Sequence, residues 1–262
     1  MTSSIPAVVP PVRPPSALKR HYPPSMAMRW LSAGWRDLAA DPGPSLLYGV
    51  GVFIVSAAIV VGLFAFGWDY ILFPAFAGFM VVGPIVAIGL YEKSRCLAAG
   101  QPVNFGSMVV VRGASGGQLW FTGVLLCLLM LLWMRAAVIV YALFFGLLPF
   151  PGLNHVAAVL FTTPSGWALL IVGSVVGALF AAFSFAISVF SVPRLLDEKV
   201  DALTAMGNSM SLVWNNLPVV LAWGLIVLVL FLFSLATGLL GLIVVFPLLG
   251  HGTWHAYRAI RH

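Results

Sequence analysis

Apolar runs of about 20 residues, one after another, decide what this chain can fold into. A helix rises ~1.5 Å per residue, so a run of that length crosses the ~30 Å hydrocarbon core of a bilayer. The runs fall at 46–66, 71–90, 119–148 and 167–192. A last stretch, Pro218 to Leu249, reads as two short helices over 218–233 and 238–254, turning near Ser234–Gly238. That gives about six spans, and one long helix in place of the final pair would give five. Backbone in lipid must satisfy its own hydrogen bonds. The expected fold is therefore all-α, a polytopic helical membrane protein.

Composition closes the soluble alternatives. The chain is 61% hydrophobic and only 8% charged, with a mean hydropathy of +1.07. That leaves too little polar surface for a soluble globule of 262 residues. Soluble enzymes, nucleic-acid-binding domains and disordered regulators are excluded at this step, and the expected partner is the lipid bilayer. The two cysteines, Cys96 and Cys127, form no Cys-x-x-Cys pair and support neither a disulfide framework nor a zinc site.

Two domains of different character follow. Residues 1–27 hold seven prolines and no apolar h-region, which reads as an extended, disordered cytoplasmic tail and not a signal peptide. Residues 28–262 form a single helical membrane domain. At its start, 29–40 is amphipathic: Leu31, Gly34, Trp35 and Leu38 share one face, expected to lie in the headgroup layer with Trp35 as anchor. A second interfacial stripe is Val200, Leu203, Gly207, Met210 and Trp214. Residues 149–165 read as a neutral loop around Asn154-His155.

Twelve of the thirteen Lys and Arg residues lie in the N-terminal segment, in 91–118, in 193–217 and at the C-terminus. The connections at 67–70, 149–165 and 234–238 hold none. By the positive-inside rule both termini are expected in the cytoplasm.

Few residues in the spans offer chemistry. Arg135 is the one formal charge well inside a span, roughly 24 Å along its helix counted from Leu119. Asp69, in the first non-cytoplasmic turn, is its natural partner, so an intramembrane Arg135–Asp69 ion pair is expected, with a substrate or anion site as the alternative. His251 and His255, spaced i, i+4, share a helical face and could ligate a metal or haem iron. No carboxylate or cysteine joins them on that segment, which carries the Trp, Tyr and Arg of an interface belt, and anchoring is the reading preferred. On the fourth span Gly173, Gly177 and Ala181 form one small-residue ridge, and Ser174, Ala178, Ala182 and Ala186 a second, which favours close helix packing. Asp and Glu are absent from the spans, as are a phosphate-binding loop, a nucleophile elbow and a His-Glu-x-x-His pair, so no catalytic residues, metal site or cofactor are expected.

Several segments resemble a known family. They are Ser188-Val189-Phe190-Ser191-Val192-Pro193, Leu195-Leu196-Asp197, Asp201-Ala202, Thr204-Ala205-Met206, and the closing Pro247-Leu248-Leu249-Gly250-His251-Gly252-Thr253-Trp254-His255-Ala256-Tyr257-Arg258. With Gly34-Trp35-Arg36-Asp37-Leu38, Tyr48-Gly49 and Trp133-Met134-Arg135, they resemble the bacterial family called domain of unknown function 2189. The resemblance implies a multi-pass protein of the Gram-negative inner membrane and brings no established activity or site residues. A label relating members to cytochrome oxidase subunit I does not fit a chain with so few histidines in its spans. The expected role is a non-catalytic accessory, scaffold or assembly subunit of a larger membrane complex, or a self-associating protein. A small permease or channel and a haem- or copper-binding redox subunit are the alternatives. No nucleic-acid partner is expected.

Overall fold

The structure is a computed structural model that describes residues 18–146 and 152–261, and every element in it is helical. The chain runs α1 (Met26–Ala40), α2 (Pro42–Ala65), a 3-10 turn at Asp69–Ile71, α3 (Leu72–Val86), α4 (Ile88–Ala98), α5 (Phe105–Val109) and α6 (Gly116–Phe145). It continues through α7 (Leu153–Thr162), α8 (Pro164–Ser188), α9 (Ser191–Asp197), α10 (Ala202–Asn215), α11 (Leu217–Ala236) and α12 (Leu242–Arg261).

Five helical stretches are long and apolar enough to cross a membrane: Pro42–Ala65, Asp69–Ala98, Gly116–Phe145, Pro164–Asp197 and Leu217–Ala236. The expected sixth is not among them. The chain does turn after α11, but α12 is apolar only in its first half, and from Gly250 onward it is polar and mostly buried within the protein. The turn places Gly238 and Leu239 at positive φ, +63° and +70°, which costs Leu239 steric strain and swings its side chain into the core. α12 then leads back, so both ends of the described chain meet at one end of the bundle.

The second stretch breaks at Ala87. Pro84 sits inside α3, and just beyond it the amides of Leu90 and Tyr91 both bond to the Ala87 carbonyl. The Val86 carbonyl is thereby released, and the Tyr48 hydroxyl on α2 donates to it at 2.6 Å. The fourth stretch breaks similarly between α8 and α9, where the Phe190 amide bonds Ser209 Oγ on α10.

α1 packs on protein along a face that differs in part from the expected one. Ala27, Trp30, Ala33, Gly34 and Leu38 are buried, and Trp35 is exposed. The helix crosses α12 glycine to glycine: a Cβ on Gly34 would lie 2.6 Å from the Gly252 nitrogen and 2.8 Å from the Leu248 carbonyl oxygen. Trp30 meets Trp223 of α11 edge-on. The described part of the expected free tail is docked as well. Arg20 Nε and Nη2 donate to the carbonyls of Ile260 and Arg261, its amide to Asn216 Oδ1, and Tyr22 to the Ala259 carbonyl. Residues 1–17 lie outside the described residues.

On α10, Leu203, Gly207, Met210 and Trp214 face outward while Ala205, Met206, Ser209 and Val213 are buried, and Val200, the first residue of the expected stripe, precedes the helix and packs half-buried on the core. The neutral loop carries a helix of its own, α7, packed on α8.

Candidate functional site

The polar chemistry of this protein gathers where α1, α2, α4 and α12 meet. Each helix arrives there for a local reason. Asp41 breaks α1 from α2, and Pro42 starts α2, which sets Ser45 in its first turn. α4 follows the break at Ala87, which redirects Lys93 and Ser94 toward α12. Gly250 and Gly252 let α12 approach Leu90 and Trp223 with no Cβ between, and this carries His251 inward.

The result is an unbroken line of hydrogen bonds. Lys93 Nζ donates to Ser45 Oγ at 2.8 Å and also to the Asp41 carbonyl. Ser45 Oγ lies 2.9 Å from His251 Nε2, and Ser94 Oγ 2.8 Å from His251 Nδ1. Ser94 Oγ donates to Asp37 Oδ2 at 2.6 Å, and His255 Nε2 shares that oxygen at 2.8 Å. Lys93, Ser45 and His251 are 0% exposed.

Donor arithmetic fixes the directions. The carboxylate of Asp37 only accepts, so it takes the single hydroxyl proton of Ser94, and Ser94 Oγ must then accept from His251 Nδ1–H. The Lys93 ammonium only donates, so Ser45 accepts from it and gives its own proton to His251 Nε2. The network thus assigns His251 as the neutral Nδ1–H tautomer. Burial agrees, pushing the His251 pKa down to about 4. Burial alone would raise Asp37, but the hydrogen bonds from His255 and Ser94 outweigh it and leave its carboxyl below the usual value. The line joins a buried cation to a carboxylate through a neutral imidazole, and each link is short enough to pass a proton.

A second cluster fastens α9 to the end of α12. Arg261 reaches Asp197 Oδ2 at 2.5 Å and Glu198 Oε1 at 2.6 Å, and Arg194 holds the other Glu198 oxygen at 2.9 Å. The Tyr257 hydroxyl donates to Asp197 at 3.2 Å.

The structure moves several residues from their expected places. His251 and His255 are not interface anchors. They point into the protein, and both ring nitrogens of His251 are committed to serines, which leaves it no free nitrogen for a metal. Among the described residues no group of three or more His, Cys, Asp and Glu is set to hold a metal ion. The Arg135–Asp69 pair is not formed. Trp133 takes the inward direction of α6, its Nε1 donating to the Pro74 carbonyl at 3.0 Å and its ring packing on Phe180. Two residues later, ~200° around the helix, Arg135 is exposed on the opposite side. Asp69 is half-buried at the rim of a cleft of about 810 Å³ between α3, α6 and α8.

Of the two α8 ridges, Gly173 and Gly177 close on α6. A Cβ on Gly177 would come 3.2 Å from Trp133 Cη2. Ala181 is exposed at the rim of a smaller inner cavity. Ser174, Ala178 and Ala182 face outward, and Ala186 is half-buried with its carbonyl accepting from Ser209. Trp133 lines both the cleft and the inner cavity.

Sequence reasoning overlooked Asp37, Ser45, Lys93 and Ser94. Their one visible signal is a lysine and three small or acidic polar residues set beside apolar runs, a pattern that also describes ordinary helix ends.

No curated protein and no solved structure matches the chain. The family model described as "Predicted integral membrane protein (DUF2189)" matches residues 72–197, from the start of α3 to the end of α9. The resembling segments at 34–38, 48–49 and 247–258, and with them Asp37, Ser45, His251 and His255, lie outside that match. The stretch from α3 to α9 is thus similar to that family, and with five helices fit to cross a bilayer the protein is a multi-pass integral membrane protein.

Proposed function

We propose that the protein is a non-catalytic accessory or scaffold component of the bacterial inner membrane that works by packing against another membrane protein or against itself. The observation that carries this reading is the division of small residues on α8. The Gly173–Gly177 ridge is used inside the protein, whereas Ser174, Ala178 and Ala182 face outward, where a second helix could approach the backbone closely. The buried line from Lys93 to Asp37 supports the same reading, because it ties four helices together and keeps its side chains bonded to one another. Mild-detergent affinity purification of the full chain from its native membranes, with mass spectrometry, tests this. A stoichiometric partner or a stable oligomer is expected, and Ala178→Phe should remove it without changing thermal stability. Elution as an unaccompanied monomer from both forms would refute the reading.

A second reading, a small permease, draws on the cleft and the inner cavity that meet at Trp133. It would be supported by flux, in proteoliposomes, of a small solute that does not cross the bilayer unaided, rising on Trp133→Ala.

A further inference from the structure

Two buried side chains that line the inner cavity each carry a polar atom that hydrogen-bonds nothing in the protein. Trp223 on α11 is 0% exposed and Ser184 on α8 is 2% exposed, both line the cavity, and neither Nε1 of the one nor Oγ of the other has a partner. An unpaired donor away from water is costly, and in a bilayer no solvent stands by to relieve it. Helix α8 had a remedy at hand. Ser188 on α8, and Ser191 at the start of α9, each donate to the carbonyl four residues back, at 2.7 and 2.6 Å, but Ser184 does not. It lies on the stripe Gly177–Phe180–Ala181–Ser184 that walls the cavity.

The wall states what would fit. An indole N–H only donates, so the missing partner is an acceptor. The remaining surface is apolar and largely aromatic, with Phe79, Phe180, Phe231 and Phe246 among its members, so that acceptor belongs to an uncharged molecule. The cavity holds about 160 Å³, close to the ~150 Å³ that accommodates one benzene-sized ring. α8 and α11 run past one another with little contact, and the Phe185 ring lies 3.7 Å from where a Cβ on Gly224 would stand. A tail could leave between them.

We propose that this cavity binds an uncharged lipophilic molecule that presents a carbonyl oxygen to Trp223 Nε1 and Ser184 Oγ. A bilayer supplies that chemistry in two forms, a quinone ring and the ester carbonyl of a lipid. The site is independent of whether the protein serves as an accessory subunit.

The test uses the purified full chain, delipidated in detergent. A short-tailed benzoquinone is titrated by equilibrium dialysis, and diacylglycerol, an uncharged lipid with ester carbonyls, is added back in a parallel sample read by native mass spectrometry. One saturable equivalent of a probe is expected, and whichever probe displaces the other identifies the source. Trp223→Phe, which removes the donor and keeps the ring, should weaken binding about five- to tenfold, the value of one hydrogen bond. Ser184→Leu, which fills the space, should abolish it, and the exposed Val175→Ala should leave it unchanged. Should Trp223→Phe fail to fold, Ser184→Ala serves in its place with a similar loss. The proposal is overturned if neither probe saturates, if Ser184→Leu binds like the parent, or if the cavity of a lipid-grown crystal contains water alone.

Discussion

Acidification should loosen this protein through His251. The imidazole is buried, hydrogen-bonded at both nitrogens and neutral, with a folded pKa of about 4 against 6.5 for the free side chain. The unfolded state therefore binds the proton more readily than the folded state does. Stability from this group is fully present above pH 6.5 and is lost as pH falls through 6.5 toward 4. Between pH ~7.5 and ~4.5 the two values give a loss on the order of 2.5 kcal/mol. A carboxyl held low, such as Asp37, acts in the same direction but at lower pH, since its contribution is present above the usual carboxylate range and is lost only beneath it. The assay is reversible unfolding of the purified chain by SDS in mixed micelles at both pH values, beside His251→Gln. The variant should be less stable at neutral pH, and its own loss on acidification should be smaller by about 2 kcal/mol. The reasoning fails if the native chain is equally stable at both pH values, or if the variant loses as much as the native chain does.

Two further outcomes follow from packing. Gly34→Val should cost about 2–3 kcal/mol, because its Cβ meets the α12 backbone and neither helix can yield without separating the other contacts. Limited trypsin digestion should then cut at Arg29 and Arg36 well before it cuts the native chain. Arg135→Leu should change stability by no more than about 0.5 kcal/mol, since Arg135 is exposed on α6 and forms no ion pair with Asp69. A larger loss in the same SDS titration would show that the residue has a partner.

The membrane-crossing elements were legible because lipid imposes a length and a composition on each of them. The limits of 46–66 and 167–192 fall within a few residues of α2 and α8 for that reason. Partners were less legible. An apolar stripe shows that a face is covered without saying by what. On α10 the stripe at Leu203 and Trp214 faces outward, but on α1 the covered face is Ala27, Trp30, Gly34 and Leu38, and it meets protein. Ala27 and Gly34 contribute little hydropathy, so the larger Leu31 and Trp35 drew the expected face part of the way round the helix, with Gly34 and Leu38 common to both faces. His251 and His255 were correctly placed on one side of a helix by their spacing. The carboxylate that His255 meets lies 218 positions away in the chain, a separation no local pattern carries. Arg135 illustrates a third limit, because hydropathy marks a charge within a span but not the face it occupies, and here Trp133 decides that.

The docking of α1 has a consequence for how the protein is made. Arg20 is joined to Ile260 across 240 positions, and the helix that follows it rests on α11 and α12. Ribosomes deliver α1 first and its seat last, so the helix that waits longest is the one that closes the structure. The seat of α1 is complete only once α12 is in place, so the crossing of Gly34 on Gly252 joins the first and last described helices of the chain.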